Sequence, residues 1–401
     1  MTSPSPPSDV PSPQSRWVSV GRGMGLGALL YTLLLSVNLI SSGLALWVGD
    51  RLVSIFSFAQ NPWLGLGVGL FATALVQSSS AVTTILVGLV ASGLPVAIAV
   101  PMVMGANIGT TVTNTVASLG FLRQQENFER AFAAATIHDF FNLLALAILF
   151  PLEIGFHGIE NSAHGLASAL QPWVHAPLLK ENGVAGLITW PQHQLLTLGE
   201  QYLTPPWSGV MVTSVGGILL LVSLINIGQI LQKLLGAKPL GWLTTLLPAP
   251  SASPLAPIPF LPALSPMALG AGITALAQSS SLTTSLLVPL AATDLMPLTV
   301  VYPVTLGANL GTCLTAFLAA IAVVPASFAA VEIALVHVLF NGLGILLIYG
   351  LPGLRRVPLW LAQTFARLSA QNIAWAIGYL AVLFFLLPLL GFWRVFPGGI
   401  S

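Results

Sequence analysis

The chain carries its central motif twice. Thr73-Ala74-Leu75-Val76-Gln77-Ser78-Ser79-Ser80 matches Thr274-Ala275-Leu276-Ala277-Gln278-Ser279-Ser280-Ser281 at seven of eight positions, and Thr83 and Thr84 align with Thr284 and Ser285. Gly105-Ala106-Asn107-Ile108-Gly109-Thr110 matches Gly307-Ala308-Asn309-Leu310-Gly311-Thr312, with Thr113 opposite Thr315 three residues on. A third pair, His138-x-x-Phe141-Asn142 and His337-x-x-Phe340-Asn341, keeps the same order. The offsets are 201, 202 and 199 residues. Three motifs in one order at one spacing mark two structural units of one design.

These motifs lie in apolar surroundings. Apolar segments run about 25–48, 62–93, 95–119, 128–150, 207–235, 262–292, 297–324, 328–350 and 372–393. A helix needs about 20 apolar residues to cross a bilayer. Only 6% of the 401 residues are charged, against about 25% in soluble domains, so a soluble enzyme is excluded. A net charge of +1 leaves no footprint for nucleic acid. A membrane β-barrel would alternate apolar and polar residues, and these segments do not. Cys313 is the single cysteine, so neither an internal disulfide nor a redox pair is available, and the six histidines lack metal-ligand spacing. Residues 1–15 are rich in Pro and Ser and lack the order of a signal peptide.

The fold class expected is an all-α polytopic membrane protein built from two inverted-topology repeats. Segments 62–93 and 262–292 are long for one span, and each carries Gln-Ser-Ser-Ser at its middle. Non-helical backbone at membrane depth is tolerated only inside protein or beside water, so each segment reads as a re-entrant hairpin with the motif at its tip. The domain plan is a disordered cytoplasmic tail (1–24), repeat 1 (25–150), an external loop (151–206), repeat 2 (207–350) and a C-terminal segment with a last span (351–401). With seven crossings and the N-terminus inside, nine of the twelve Lys/Arg fall inside and only Arg51, Lys180 and Arg394 outside, as the positive-inside rule requires. An interfacial or crossing segment at 357–371 would alter the side of the C-terminus. Three crossings per unit invert the second unit, and inverted repeats with broken helices place a transporter's site where the repeats meet.

The motifs have matching chemistry. Gln77, Ser78, Ser79 and Ser80, with Gln278, Ser279, Ser280 and Ser281, supply amides and hydroxyls that donate to an anion or ligate a cation. A helix starting at each tip adds free N–H groups and a positive dipole end, an anion site. The Gly, Asn and Thr of the second motif suggest an unwound helix whose oxygens hold Na⁺, with Asn107 and Asn309 among the donors. In both cases the plain alternative is close packing through small residues. His138 and Asn142, like His337 and Asn341, are four apart on one helical face, where they either bond neighbouring helices or bind substrate. Asp139, Asp294 and Glu332 are unrepeated; each either assists a cation or stands at a helix end in contact with water. Since no Lys or Arg lies deep in a span, an anion at the midplane needs a co-bound cation.

The motif set resembles the type II sodium-dependent phosphate cotransporters, which include the animal kidney and intestinal phosphate carriers and bacterial relatives. It is carried by QSSSAVTT, MGANIGTTVTNT, FERAFAAATIHDFFN and Pro151-Leu152-Glu153 in the first unit, and by QSSSLTTS, YPVTLGANLGT and IALVHVLFN in the second. The resemblance implies sodium-driven import of inorganic phosphate through a multi-pass protein of the cell (inner) membrane. It implies no catalysis and no cofactor beyond Na⁺ as coupling ion; the partners are phosphate, Na⁺ and the lipid bilayer. It places phosphate on the two QSSS tips and a sodium ion on Gln278, Ser279, Thr312 and Thr315, with Thr110 and Thr113 their symmetry partners. Cys313 departs from the hydroxyl residue expected beside Thr312. Transport of another oxyanion, such as sulfate or arsenate, and proton coupling are the alternatives.

Overall fold

A computed structural model describes residues 13–174, 184–204, 206–235, 259–323 and 327–395. Residues 1–12 of the expected tail, Lys180, Lys238 and residues 396–401 lie outside the described residues. Among the described residues all regular elements are helical. Eight helices among them are long and apolar enough to span a bilayer, so the chain is a multi-pass membrane protein. Seven of them coincide with the expected crossings; the eighth, Phe260–Ala277, is the arm preceding the second QSSS.

Helix α1 (Pro13–Trp47) begins about a dozen residues before the expected boundary of the tail. The first unit continues with α2 (Pro62–Val76), α3 (Ser79–Ala91), α4 (Val96–Gly109), α5 (Val112–Ser118) and α6 (Gln125–Phe156). The expected external loop is largely helical, with α7 (Gly158–Val174) and α8 (Val184–Tyr202), both amphipathic. The second unit holds α9 (Trp207–Leu235), α10 (Phe260–Ala277), α11 (Ser280–Ala292), α12 (Leu298–Val323) and α13 (Ala329–Gly344). Helices α14 (Arg356–Gln371), α15 (Ala374–Ala381) and α16 (Leu387–Val395) follow. Helix α14 is strongly amphipathic and is not among the eight spanning candidates, which fits an interfacial element. Its Pro358, Leu359, Ala362 and Ala366 are buried, while Trp360 and Leu368 are exposed.

The packing repeats as the sequence does. Helix α2 lies against α4, and α10 against α12. In lipid, apolar burial does not drive helices together; close contact of small residues does. A Cβ on Gly69 would overlap the Met102 carbonyl, and one on Gly105 the Leu66 carbonyl. In the second unit Gly270 meets the Val304 carbonyl and Gly307 the Met267 carbonyl in the same way. The Gly of each Gly-Ala-Asn motif therefore serves close packing, the plainer of its two readings.

The units also exchange parts. Helix α3 packs on α12 and α13 of the second unit, while α11 packs on α5 and α6 of the first. Helix α7 leans on α13, and α14 leans on α6. The turn into α7 is fixed by Glu153, whose carboxylate accepts from the Ile159 N–H at 2.7 Å and the Glu160 N–H at 3.3 Å. One buried apolar cluster runs through both units, from Leu33 to Ala362.

Candidate substrate and cation site

Each Gln-Ser-Ser-Ser interrupts a helix in the same way. Gln77 ends α2 with φ 57° and Gln278 ends α10 with φ 54°, both left-handed. That region disfavours residues with a Cβ by roughly 1–2 kcal/mol, and glycine normally fills such a helix end. Ser78 and Ser279 follow in extended conformation as N-caps. Their hydroxyls accept from the Ala81 and Leu282 N–H groups, both at 3.2 Å. The next two N–H groups of each helix, on Ser79–Ser80 and Ser280–Ser281, have no partner within the helix. Ser79, Ser80, Ser280 and Gln278 are buried; Gln77 is exposed.

Several buried atoms near the motifs lack a hydrogen-bond partner. They include the hydroxyls of Ser80, Thr73 and Thr84 and the Gln278 Oε1. The hydroxyls of Thr113 and Thr315, at equivalent positions of the two units, are also unpartnered. Thr113 is on α5, packed against α11; Thr315 is on α12, packed against α3. A buried, unsatisfied hydroxyl costs about 1–3 kcal/mol, so its recurrence at matching positions of the two units calls for a reason. Thr110 and Thr312 donate to Ala106 and Ala308, four residues back, at 3.2 and 3.0 Å, which leaves oxygen lone pairs free.

The units differ in a hydroxyl beside the break. Thr274 donates to Thr283 at 2.7 Å across the second break. In the first unit Val82 stands where Thr283 does, and the Thr73 hydroxyl is left alone.

A buried polar network joins the units. Asn107 Oδ1 accepts from His337 Nε2 at 3.3 Å and from Asn341 Nδ2 at 3.2 Å. In mirrored fashion Asn309 Oδ1 pairs with His138 Nε2, and Asn309 Nδ2 donates to Asn142 Oδ1 at 2.9 Å. Asn142 also donates to the Asn107 carbonyl at 3.0 Å. The His and Asn of each unit thus grip the Asn of the other, and both Asn107 and Asn309 oxygens are already engaged. Asn114 donates to Thr284 at 2.7 Å, tying α5 to the first turn of α11. No hydrogen bond joins the two QSSS segments to each other among the described residues.

The expected unwinding of the Gly-Ala-Asn helices is absent in the second copy and slight in the first. Helix α12 is continuous, whereas Thr110 and Thr111 form a tight turn between α4 and α5. Thr111 donates to the Ile108 carbonyl at 2.9 Å, which diverts that carbonyl from the helical ladder. Cys313 occupies the equivalent place in α12. Its thiol lies 3.4 Å from the Asn309 and His337 carbonyls, so it fills a packing position in the network.

The three unrepeated acids separate cleanly. Asp139 is fully buried beside Thr115 and Tyr379. Asp294 stands past the end of α11, exposed, with Arg130 at 4.0 Å. Glu332 meets the exposed His164 of α7 at 3.2 Å. Asp139 is fully enclosed; Glu332 is buried as well, in the first turn of α13, and Asp294 is exposed. The left-handed glutamines are the feature that the sequence reading missed: a Gln directly after an apolar helix and directly before Ser was the available signal.

Among the described residues, eight membrane-length helices and two matching helix breaks define a multi-pass membrane protein. Residues 32–162 and 219–351 each match the sequence model of the family described as Na+/Pi-cotransporter. The chain is 32% identical over 463 aligned positions to sodium-dependent phosphate transport protein 2B of Pongo abelii, covering 94% of this chain and 67% of that one. It has the same identity and coverage against the Homo sapiens 2B protein. Against the 2A protein of Rattus norvegicus it is 33% identical, over 90% of this chain and 66% of that one. No solved structure matches. The chain belongs to the Na+/Pi-cotransporter family, whose members are transporters and not enzymes and need no cofactor beyond Na⁺ as coupling ion.

Proposed function

We propose that this chain is a sodium-coupled symporter that imports inorganic phosphate across the cytoplasmic membrane by alternating access, with its N-terminus in the cytoplasm. The relatives, named as sodium-dependent phosphate transport proteins, supply the substrate and the ion. The observation that carries the site is the recurrence of unpartnered hydroxyls at Thr113 and Thr315, on helices packed against the arms that follow the two left-handed glutamines.

Each QSSS is the tip of a re-entrant hairpin. The Thr274–Thr283 bond supports this, because it joins side chains four residues before and five after Gln278, and the chain must double back for them to meet. The unpaired N–H groups at the start of α3 and α11, with the serine hydroxyls, receive phosphate oxygens. Gln278 Oε1, Ser279 and the hydroxyls of Thr312 and Thr315 hold one Na⁺; Thr110 and Thr113 offer the mirrored set. Asn107 and Asn309 serve as braces between the units, held by His337 with Asn341 and by His138 with Asn142.

Charge balance favours symport. Among the described residues Arg355 is the one buried Lys or Arg, and it donates to the Gly350 carbonyl at the end of its helix bundle. A phosphate at the midplane therefore finds dipoles but no fixed cation, and a co-bound Na⁺ lowers the cost of its desolvation. Because each hairpin's second arm packs on the opposite unit, moving one unit against the other carries both tips together and changes which side they face.

Counterflow in proteoliposomes preloaded with phosphate tests substrate and ion together. Labelled phosphate exchange should need Na⁺, stop when choline replaces it, and resist excess sulfate. Equal competition by sulfate, or full exchange in choline, would overturn the assignment.

A further inference from the structure

A groove of about 830 Å³ opens on the flank of the bundle. Ile40 and Leu44 of α1, Ile85 and Leu89 of α3 and Gly217 of α9 line it, and Arg51 and Trp47 stand at one end. The volume is in the range of pockets that hold a ligand, roughly 300–1,000 Å³. From Ile40 to Trp47 the helix rises about 10 Å, so the groove runs from the end of a span well into the hydrocarbon. Trp47 is 46% exposed at the end of α1, where an aromatic marks the membrane–water interface. Arg51 is exposed just beyond, and no ion pair engages it among the described residues.

We propose that this groove binds an anionic glycerophospholipid, one acyl chain between α1, α3 and α9 and the headgroup phosphate on Arg51. The walls are mostly apolar, with the Thr213 hydroxyl among them, and Arg51 sits at headgroup level, which is the charge pattern of such a lipid. The site touches the transport machinery without being part of it. Ile85 and Leu89 lie on α3, which carries the first QSSS at its start. That helix is docked on α1 beside the groove: Gly88 faces Ile40, and the Ser92 hydroxyl donates to the Ser41 carbonyl at 2.9 Å. The lipid thus extends the surface on which the first hairpin's second arm rests. This inference does not depend on which anion is transported.

The test uses the purified full chain and native mass spectrometry, with phosphatidylglycerol and phosphatidylcholine of equal chain length as probes. The parent should retain phosphatidylglycerol about fivefold better, the effect of one basic residue on one anionic headgroup. Arg51→Gln should abolish that preference while retaining lipid. Gly217→Phe fills the groove from a position where an added Cβ meets nothing within 4 Å, so it should fold and lose retention of both lipids. In phosphatidylcholine vesicles both variants should transport as the parent does, and in phosphatidylglycerol vesicles only the parent should gain rate. Equal retention of the two lipids by the parent, or an undiminished preference in Arg51→Gln, would overturn the proposal; the first outcome would mean bulk lipid only. Its failure is distinguishable from failure of the transport reading, which the phosphatidylcholine vesicles test separately.

Discussion

Replacing Gln77 by glycine separates stability from function at the first helix break. Gln77 is left-handed at φ 57°, and its side chain is exposed and makes no hydrogen bond among the described residues. A Cβ in that region costs roughly 1–2 kcal/mol. Glycine removes that cost but loses about 0.5–1 kcal/mol through the freedom of the unfolded chain. Gln77→Gly should therefore exceed Gln77→Ala in stability by about 0.5–1 kcal/mol. The unfolding entropy of about 2.1 cal/mol/K per residue, over 401 residues, converts this to roughly 1 °C in Tm. Thermal unfolding of both purified variants, with labelled-phosphate uptake into vesicles, gives the two readouts. Both variants should lose most uptake if, as proposed for the QSSS tips, the Gln77 amide contacts the transported phosphate. Two results would refute the reasoning: equal Tm in Gly and Ala variants, or a Gly variant that transports like the parent.

Three further outcomes follow from the geometry. Asn107→Ala and Asn341→Ala should be non-additive in stability by about 0.5–2 kcal/mol in a double-mutant cycle, since each removes the same inter-unit hydrogen bond; additive effects would remove the brace. Gly307→Val should destabilise by at least the ~1–3 kcal/mol of overpacking, as its Cβ meets the Met267 carbonyl, and Gly270→Val should match it. Thr315→Ala should weaken Na⁺ activation of uptake several-fold with little change at saturating Na⁺. A shift confined to phosphate dependence would contradict the sodium role of that hydroxyl.

Much of the architecture was legible because membrane helices advertise themselves. Uninterrupted apolar length located the spans, and the 199–202 offset located both units. The partners of the third motif were less legible. His138 with Asn142 showed only a common helical face, and nothing in the chain said that the face grips Asn309 of the other unit. Such contacts between residues about 170 apart depend on how α6 and α12 cross, which periodicity does not encode. The glycines of the Gly-Ala-Asn motif misled for the opposite reason. Glycine signals both weak helix and close approach, and here the second won: Gly105 and Gly307 face carbonyls within regular helices. The length of 151–206 suggested a loop, yet its amphipathic segments form α7 and α8, since helices suit the interface better than exposed backbone does. Asp294 and Glu332 were ambiguous in sequence because both border spans. The structure puts them at helix ends with Arg130 and His164.

Among the described residues no buried Lys or Arg other than Arg355 is present, which turns charge balance into the strongest constraint on mechanism. Uptake of labelled phosphate into proteoliposomes containing only this chain, under an imposed inward Na⁺ gradient, tests it most directly. The account predicts accumulation above equilibrium that collapses when the gradient is dissipated or choline replaces Na⁺. Accumulation that persists without Na⁺, or equilibration indifferent to the gradient, would contradict sodium-coupled phosphate import by this protein.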